Sequence, residues 1–132
     1  MRKSIQVDGF GHGAQPTPAA SRVGPLLASG AIFGMDPATR KVAEGLERQC
    51  ELMFETAGRI LAAGGAGWDD VLKMTFHVAP DVPRELLNEH WVRLFPDAAS
   101  RPARHVVVND RLPAGMHLQC DLLAVVTAKD SK

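Results

Sequence analysis

Late in the chain, Arg101-Pro102-Ala103-Arg104-His105-Val106-Val107-Val108 is followed by Leu112-Pro113 and then by His117-Leu118-Gln119-Cys120-Asp121. The first run sets an arginine at the mouth of a short apolar strand. In the second, His117, Gln119 and Asp121 share one polar face, because side chains alternate across a strand. A fixed cation beside a row of groups that bind or move protons suits a small carboxylate-bearing molecule.

The elements that must hold these residues follow from periodicity. Ile5 and Val7 alternate with polar neighbours as a first short strand. Residues 9–20 (GFGHGAQPTPAA) read as an irregular loop rich in Gly, Pro and small residues. Leu26 to Ser29 form a strand ending at Gly30, with Ala31-Ile32-Phe33 continuing or bending it. Asp36-Pro37-Ala38-Thr39 signals a turn. From about Glu44 the period becomes helical through Leu46, Cys50, Met53, Phe54, Ala57, Ile60 and Leu61, and Gly64-Gly65 closes it.

Leu72, Met74, Phe76 and Val78 then alternate with Lys73, Thr75 and His77, as in a strand with one covered face. Asp81 is placed to cap a second helix, with Pro83 in its first turn and Leu86, Leu87, His90, Trp91, Leu94 and Phe95 as its apolar stripe. Strands of roughly Ala103 to Asn109 and His117 to Thr127 complete the order ββ-α-β-α-ββ. The fold class is α+β, with two helices on one face of a mixed sheet. The final strand is apolar on both sides through Leu122-Leu123-Ala124-Val125-Val126, so a lone copy would expose a second apolar surface; this predicts an oligomer.

Composition narrows the function. At 132 residues the chain is expected to be one domain, 1–132, large enough for its own core. Fifteen acidic residues balance fifteen basic ones. That balance removes the electrostatic case for nucleic acid or an anionic membrane. No apolar run approaches the roughly 20 residues of a membrane span, and no signal-peptide core follows the N-terminus. Cys50 and Cys120 lack CxxC spacing and read as buried, reduced thiols, which places the expected location in the cytoplasm. The five histidines never adopt a metal-ligand spacing, so no metal is expected. Gly9-Phe10-Gly11-His12-Gly13 lacks the Lys-Ser/Thr of a phosphate loop and reads as a flexible loop.

Several segments, in order and at their spacing, resemble the Rid family, the YjgF-type reactive-intermediate deaminases. They are Ser29-Gly30, Asp36-Pro37-Ala38-Thr39, Ala62-Ala63-Gly64, Trp68-Asp69-Asp70-Val71, Lys73-Met74-Thr75, Asn88, Phe95-Pro96, Pro102-Ala103-Arg104 and Leu112-Pro113. The resemblance covers almost the whole chain. It implies a chorismate-mutase-like α+β sandwich assembled as a homotrimer, with clefts between subunits. It also implies hydrolysis of a carboxylate-bearing enamine or imine to a keto acid and ammonia, without a metal or organic cofactor.

Carried onto this sequence, the resemblance makes Arg104 the carboxylate anchor, a guanidinium fork suited to bidentate pairing. Gly30 and Val106 match positions that offer backbone groups to the cleft. Gln119 stands where the better-known deaminases carry a glutamate. A carboxamide orients a water but does not take its proton at neutral pH. Asp121, two residues along and roughly 6.6 Å away, is either a second participant or a charged interface residue. His117 and His105 are further candidates, with His105 facing away from Arg104. The chain has no tyrosine, and Pro16-Thr17-Pro18-Ala19-Ala20 stands where family members often carry a cleft tyrosine. A ligand other than the usual small imines is therefore expected.

Two functions remain in view: a Rid-type deaminase, or a protein that binds a small carboxylate without turning it over. A ribonuclease activity, attributed to some members of the family, fits poorly with zero net charge.

Overall fold

Six short strands precede the first helix, where the hydrophobic pattern marked two. β1 (Lys3–Ile5), β2 (Ala20–Val23), β3 (Leu26–Ser29) and β4 (Ile32–Phe33) join the main sheet. β5 (Met35–Asp36) and β6 (Lys41–Val42) make a separate hairpin. Its turn is the expected Asp36–Thr39 segment, closed by the Ala38 amide donating to Asp36 Oδ1 at 2.9 Å. β4, β5 and β6, of two residues each, carry too few alternations to register as separate strands, and β2 lies at the end of the stretch that composition marks as loop. The structure is a computed structural model and describes residues 1–127.

Helix α1 (Leu46–Ala63) buries Cys50, Met53, Phe54, Ala57, Ile60 and Leu61 on one stripe. Gly65, at φ 79°, ends it: its amide bonds to Ala62 and that of Ala66 to Leu61, the two crossed bonds of a Schellman stop. A 3₁₀ turn (Trp68–Asp70) leads into β7 (Val71–Val78). Helix α2 (Arg84–Leu94) begins from Pro83, with no side-chain cap. The expected capping by Asp81 is therefore incorrect: proline's fixed φ starts the helix two residues later. β8 (Ala103–Val108) and β9 (Leu118–Val125) are the last elements among the described residues.

The main sheet runs β1-β2-β3-β9-β7-β8, with β4 continuing the line of β3 along β9. Among the described residues only β7 and β8 pair in parallel, joined by the α2 crossover. Both helices cover one face. Leu118, Cys120, Leu122 and Ala124 of β9 and Met74, Phe76 and Val78 of β7 are buried beneath them. Leu72 departs from the expected alternation: a bulge between Val71 and Lys73 turns it outward and puts Val71 on the covered face. Both cysteines are buried and unpaired.

The other face is open, as the pattern of β9 required. Val23, Leu26 and Leu123 lie exposed there. Residues 6–19 fold back over one corner, where buried Phe10 packs its ring 5.0 Å from that of Phe33. The glycine-rich stretch is thus anchored to the sheet by an aromatic contact that its composition did not announce. Among the described residues, no helix is long and apolar enough to cross a membrane.

Candidate active site

Arg104 sits on β8 beside Met74 of β7, and so on the helix-covered side. Its guanidinium lies over the Trp91 ring, 5.1 Å from the centroid, and donates through Nη1 to Asn88 Oδ1 at 2.9 Å. Both partners come from α2, three residues apart, so one helix turn builds the arginine's seat. Burial and the neighbouring charge of Arg84 hold its pKa below the ordinary value. Among the described residues, no carboxylate pairs with it. Arg101 is occupied otherwise: its Nε donates to the Phe95 carbonyl at 2.8 Å, fixing the chain before β8. Val106, alongside Phe76, shares the side and strand of Arg104.

Gln119 and Asp121 lie on the opposite, open face of the sheet. Gln119 pairs with Phe33 on one side and His77 on the other, while Asp121 pairs with Thr75, which in turn pairs with His105. The expectation that Arg104 stands beside the row of Gln119 and Asp121 therefore fails within one chain. Strand β7 intervenes, and the register sends Arg104 through to the other face. His117 precedes β9, its amide donating to Gln49 Oε1 at 2.9 Å.

Gly30 belongs with Gln119 and Asp121. Three residues, Ser29 to Ala31, span the gap opposite Asp121 and Leu122, a bulge between the β3 and β4 pairings. Ser29 Oγ fills the broken ladder, accepting from the Leu122 amide at 2.9 Å and donating to the Gly30 carbonyl at 2.8 Å. A Cβ on Gly30 would meet nothing nearer than His12 Cε1 at 3.7 Å. The fold itself does not require glycine here, and the space above it is open to a ligand.

Two histidines absent from the candidates of the sequence stand in this neighbourhood. His12 reaches in from the glycine-rich segment, its Nε2 donating to the Ala31 carbonyl at 2.7 Å, with its ring 6.2 Å from Phe33. His77 places Nε2 at 3.7 Å from Asp121 Oδ2. Alternation along β7 put His77 on the uncovered face, but the pairing of β7 with β9 was not legible. His12 and Phe33 also line a cleft of about 830 Å³ that continues past Gln49 and Met116 toward Arg40 and Lys41. Among the described residues, no three His, Cys, Asp or Glu side chains converge as a metal site.

This arrangement divides into a held guanidinium (Arg104 with Asn88 and Trp91) and a polar patch on the reverse of the sheet (Gly30, His77, Gln119 and Asp121). Comparison with known proteins gives that division a context. A family model described as Endoribonuclease L-PSP matches residues 17–126. A RutC family protein of Aquifex aeolicus is 30% identical over 100 residues, covering 76% of this chain and 79% of its own length. Reactive Intermediate Deaminase A, chloroplastic, of Arabidopsis thaliana is 30% identical over 112 residues, covering 84% of this chain and 59% of its own. Among solved structures, RidA of an Antarctic Psychrobacter species superposes with a TM-score of 0.83 at 27% identity, covering 94% of this chain and 99% of that one. Escherichia coli TdcF with bound serine gives 0.83 at 22% identity, covering 95% and 99%, a likeness of fold. The chain belongs to the YjgF/Rid family.

Proposed function

We propose that this protein is a cofactor-independent hydrolytic deaminase that converts a carboxylate-bearing enamine or imine to a keto acid and ammonia. The observation carrying this reading is the placement of Arg104 and Gln119 on opposite faces of one sheet. A site using both takes the arginine from one copy and the glutamine from another. The exposed Val23, Leu26 and Leu123 supply an apolar surface for such association. The assembly proposed is a homotrimer with three equivalent clefts.

In each cleft Arg104 holds the substrate carboxylate, and Asn88 and Trp91 fix the guanidinium plane. The backbones at Gly30 and Val106 shape the walls. The Gln119 carboxamide orients a water toward the imine carbon, and Asp121 adds negative charge where an iminium would sit. Binding of serine by the fold neighbour TdcF is in keeping with a cleft for a small amino-acid-like carboxylate.

The test is release of ammonia and keto acid from freshly generated 2-aminoacrylate and bulkier imino acids. Turnover by the wild type is expected to disappear in Arg104→Ala. Mixing Arg104→Ala with Gln119→Arg subunits restores part of it only if the two residues act from different copies. A second reading, carboxylate binding without turnover, is favoured by one observation: Gln119 carries no ionisable group. A wild type that binds a carboxylate without turning it over, with no activity gained in Gln119→Glu, would establish that reading, whereas a gain would show an otherwise competent deaminase site.

A further inference from the structure

Resting on the deaminase reading, we propose that His77, oriented by Asp121, is the catalytic base for the water that Gln119 positions. The inference starts from what Gln119 lacks. A carboxamide donates and accepts hydrogen bonds but keeps no proton taken from water, so a hydrolase built on it needs a second group within one water's reach.

The register of β7 on β9 supplies that group. His77 is the direct cross-strand partner of Gln119 on the open face. Directly opposed residues hold their Cβ atoms about 4.5–5.5 Å apart, a spacing at which an imidazole and a carboxamide can share one water. Asp121 lies diagonally across the same pair of strands, Oδ2 at 3.7 Å from His77 Nε2. This is an ion-pair separation rather than a hydrogen bond. A carboxylate there favours the tautomer with its proton on Nε2 and stabilises the imidazolium once formed. Nδ1 is left to receive the water proton. A base backed by a third, orienting group is the general arrangement for activating a nucleophile.

The surroundings of His77 agree with this role. Val107 flanks it on β8 and Gln119 on β9, with Phe33 beyond Gln119 in the same cross-strand row, on a face proposed to be covered. The other titratable groups facing it are Asp121 on β9, Lys73 on its own strand, His105 on β8 and His12 beyond Phe33. Of these, Asp121 lies within ion-pair distance, and its side chain is 45% exposed against 28% for His77, so both are open to water in a single copy.

The chemistry balances without an oxidant or cofactor. The water oxygen bonds to the iminium carbon as the C=N π pair moves to nitrogen, and one water proton passes to His77. The imidazolium returns that proton to the amine nitrogen of the carbinolamine. The C–N bond then breaks as the hydroxyl oxygen forms the ketone, and the hydroxyl proton leaves with ammonia as ammonium.

Steady-state kinetics on 2-aminoacrylate and a bulkier imino acid test this, with each variant first shown to match the wild type in Tm and assembly. His77→Gln is expected to lower kcat by about 100-fold or more, with KM within about threefold, and to abolish the acid limb of the kcat–pH profile. Asp121→Asn should lower kcat by less than His77→Gln does, with KM again within about threefold, because the imidazole keeps its place and loses only the carboxylate beside it. Added imidazole should restore part of the activity of His77→Gly. A wild-type kcat and an unchanged acid limb in His77→Gln would overturn the role of His77 and leave the deaminase reading standing. A folded wild type without turnover would overturn both.

Discussion

The guanidinium of Arg104 lies over the Trp91 ring and is tethered by Asn88, both from one turn of α2. The cation–π contact and the tether draw on the charge and on the forked donors of the group. Arg104→Lys keeps the charge but loses the plane and the second donor. Affinity for a small keto acid such as pyruvate, read by titration calorimetry, should fall by on the order of 10-fold or more, with Tm changed little.

Gly30 offers a complementary probe of the other half-site. Since a Cβ there makes only ordinary contacts, the nearest at 3.7 Å, Gly30→Ala should fold with a Tm close to wild type. The added methyl occupies space proposed for the ligand, so KM should rise while thermal stability holds. Loss of both together would mean that the glycine serves the bulge and not the cleft.

Gln49 is a buried polar residue whose amide is fully engaged. Its Nε2 donates to the Ala43 and Gly115 carbonyls, each at 2.8 Å, and its Oε1 accepts from the His117 amide at 2.9 Å. One side chain of α1 thus ties the β5–β6 hairpin to the loop that delivers β9. Gln49→Leu preserves volume but leaves three backbone groups without their partner. A loss of about 2–4 kcal/mol in urea unfolding is expected, with the 113–117 loop becoming the first segment to exchange its amide protons.

Much of this architecture was legible because long elements repeat their pattern many times. α1 shows one apolar stripe over 18 residues, and the alternation of β9 located both its buried face and its polar face. The two-residue strands β4, β5 and β6 have no period to read. Facing was legible strand by strand, but adjacency was not. Arg104 and Gln119 each read correctly as polar positions, yet whether they share a face depends on β7 lying between β8 and β9. The same insertion puts His77 next to Gln119, which local sequence spacing, 42 residues apart, does not reveal. Phe10 and His12 were hidden for another reason: a glycine-rich composition describes backbone freedom and says nothing about which side chains dock.

The two cysteines lead to a prediction about alkaline pH. Burial first, then the charges of Glu51 and Glu89, push the Cys50 thiol up to about 12 from an ordinary value of 9.0. Burial, with Asp121 and Cys50 adding to it, raises Cys120 as well. Both therefore stay protonated in the fold while an unfolded chain begins to release these protons at about pH 8.5. The folded state then binds more protons than the unfolded one, so stability falls as pH rises. The contribution is fully present below that pH and is lost progressively above it. Iodoacetamide at pH 8 should modify neither thiol in the native protein and both in urea, because only the thiolate reacts. Between pH 9 and 11 Tm should drop, and a Cys50→Ala, Cys120→Ala double variant should show a shallower drop from a lower starting Tm. Rapid native-state alkylation at pH 8 would mean that one of the thiols is not buried between α1 and the sheet as described.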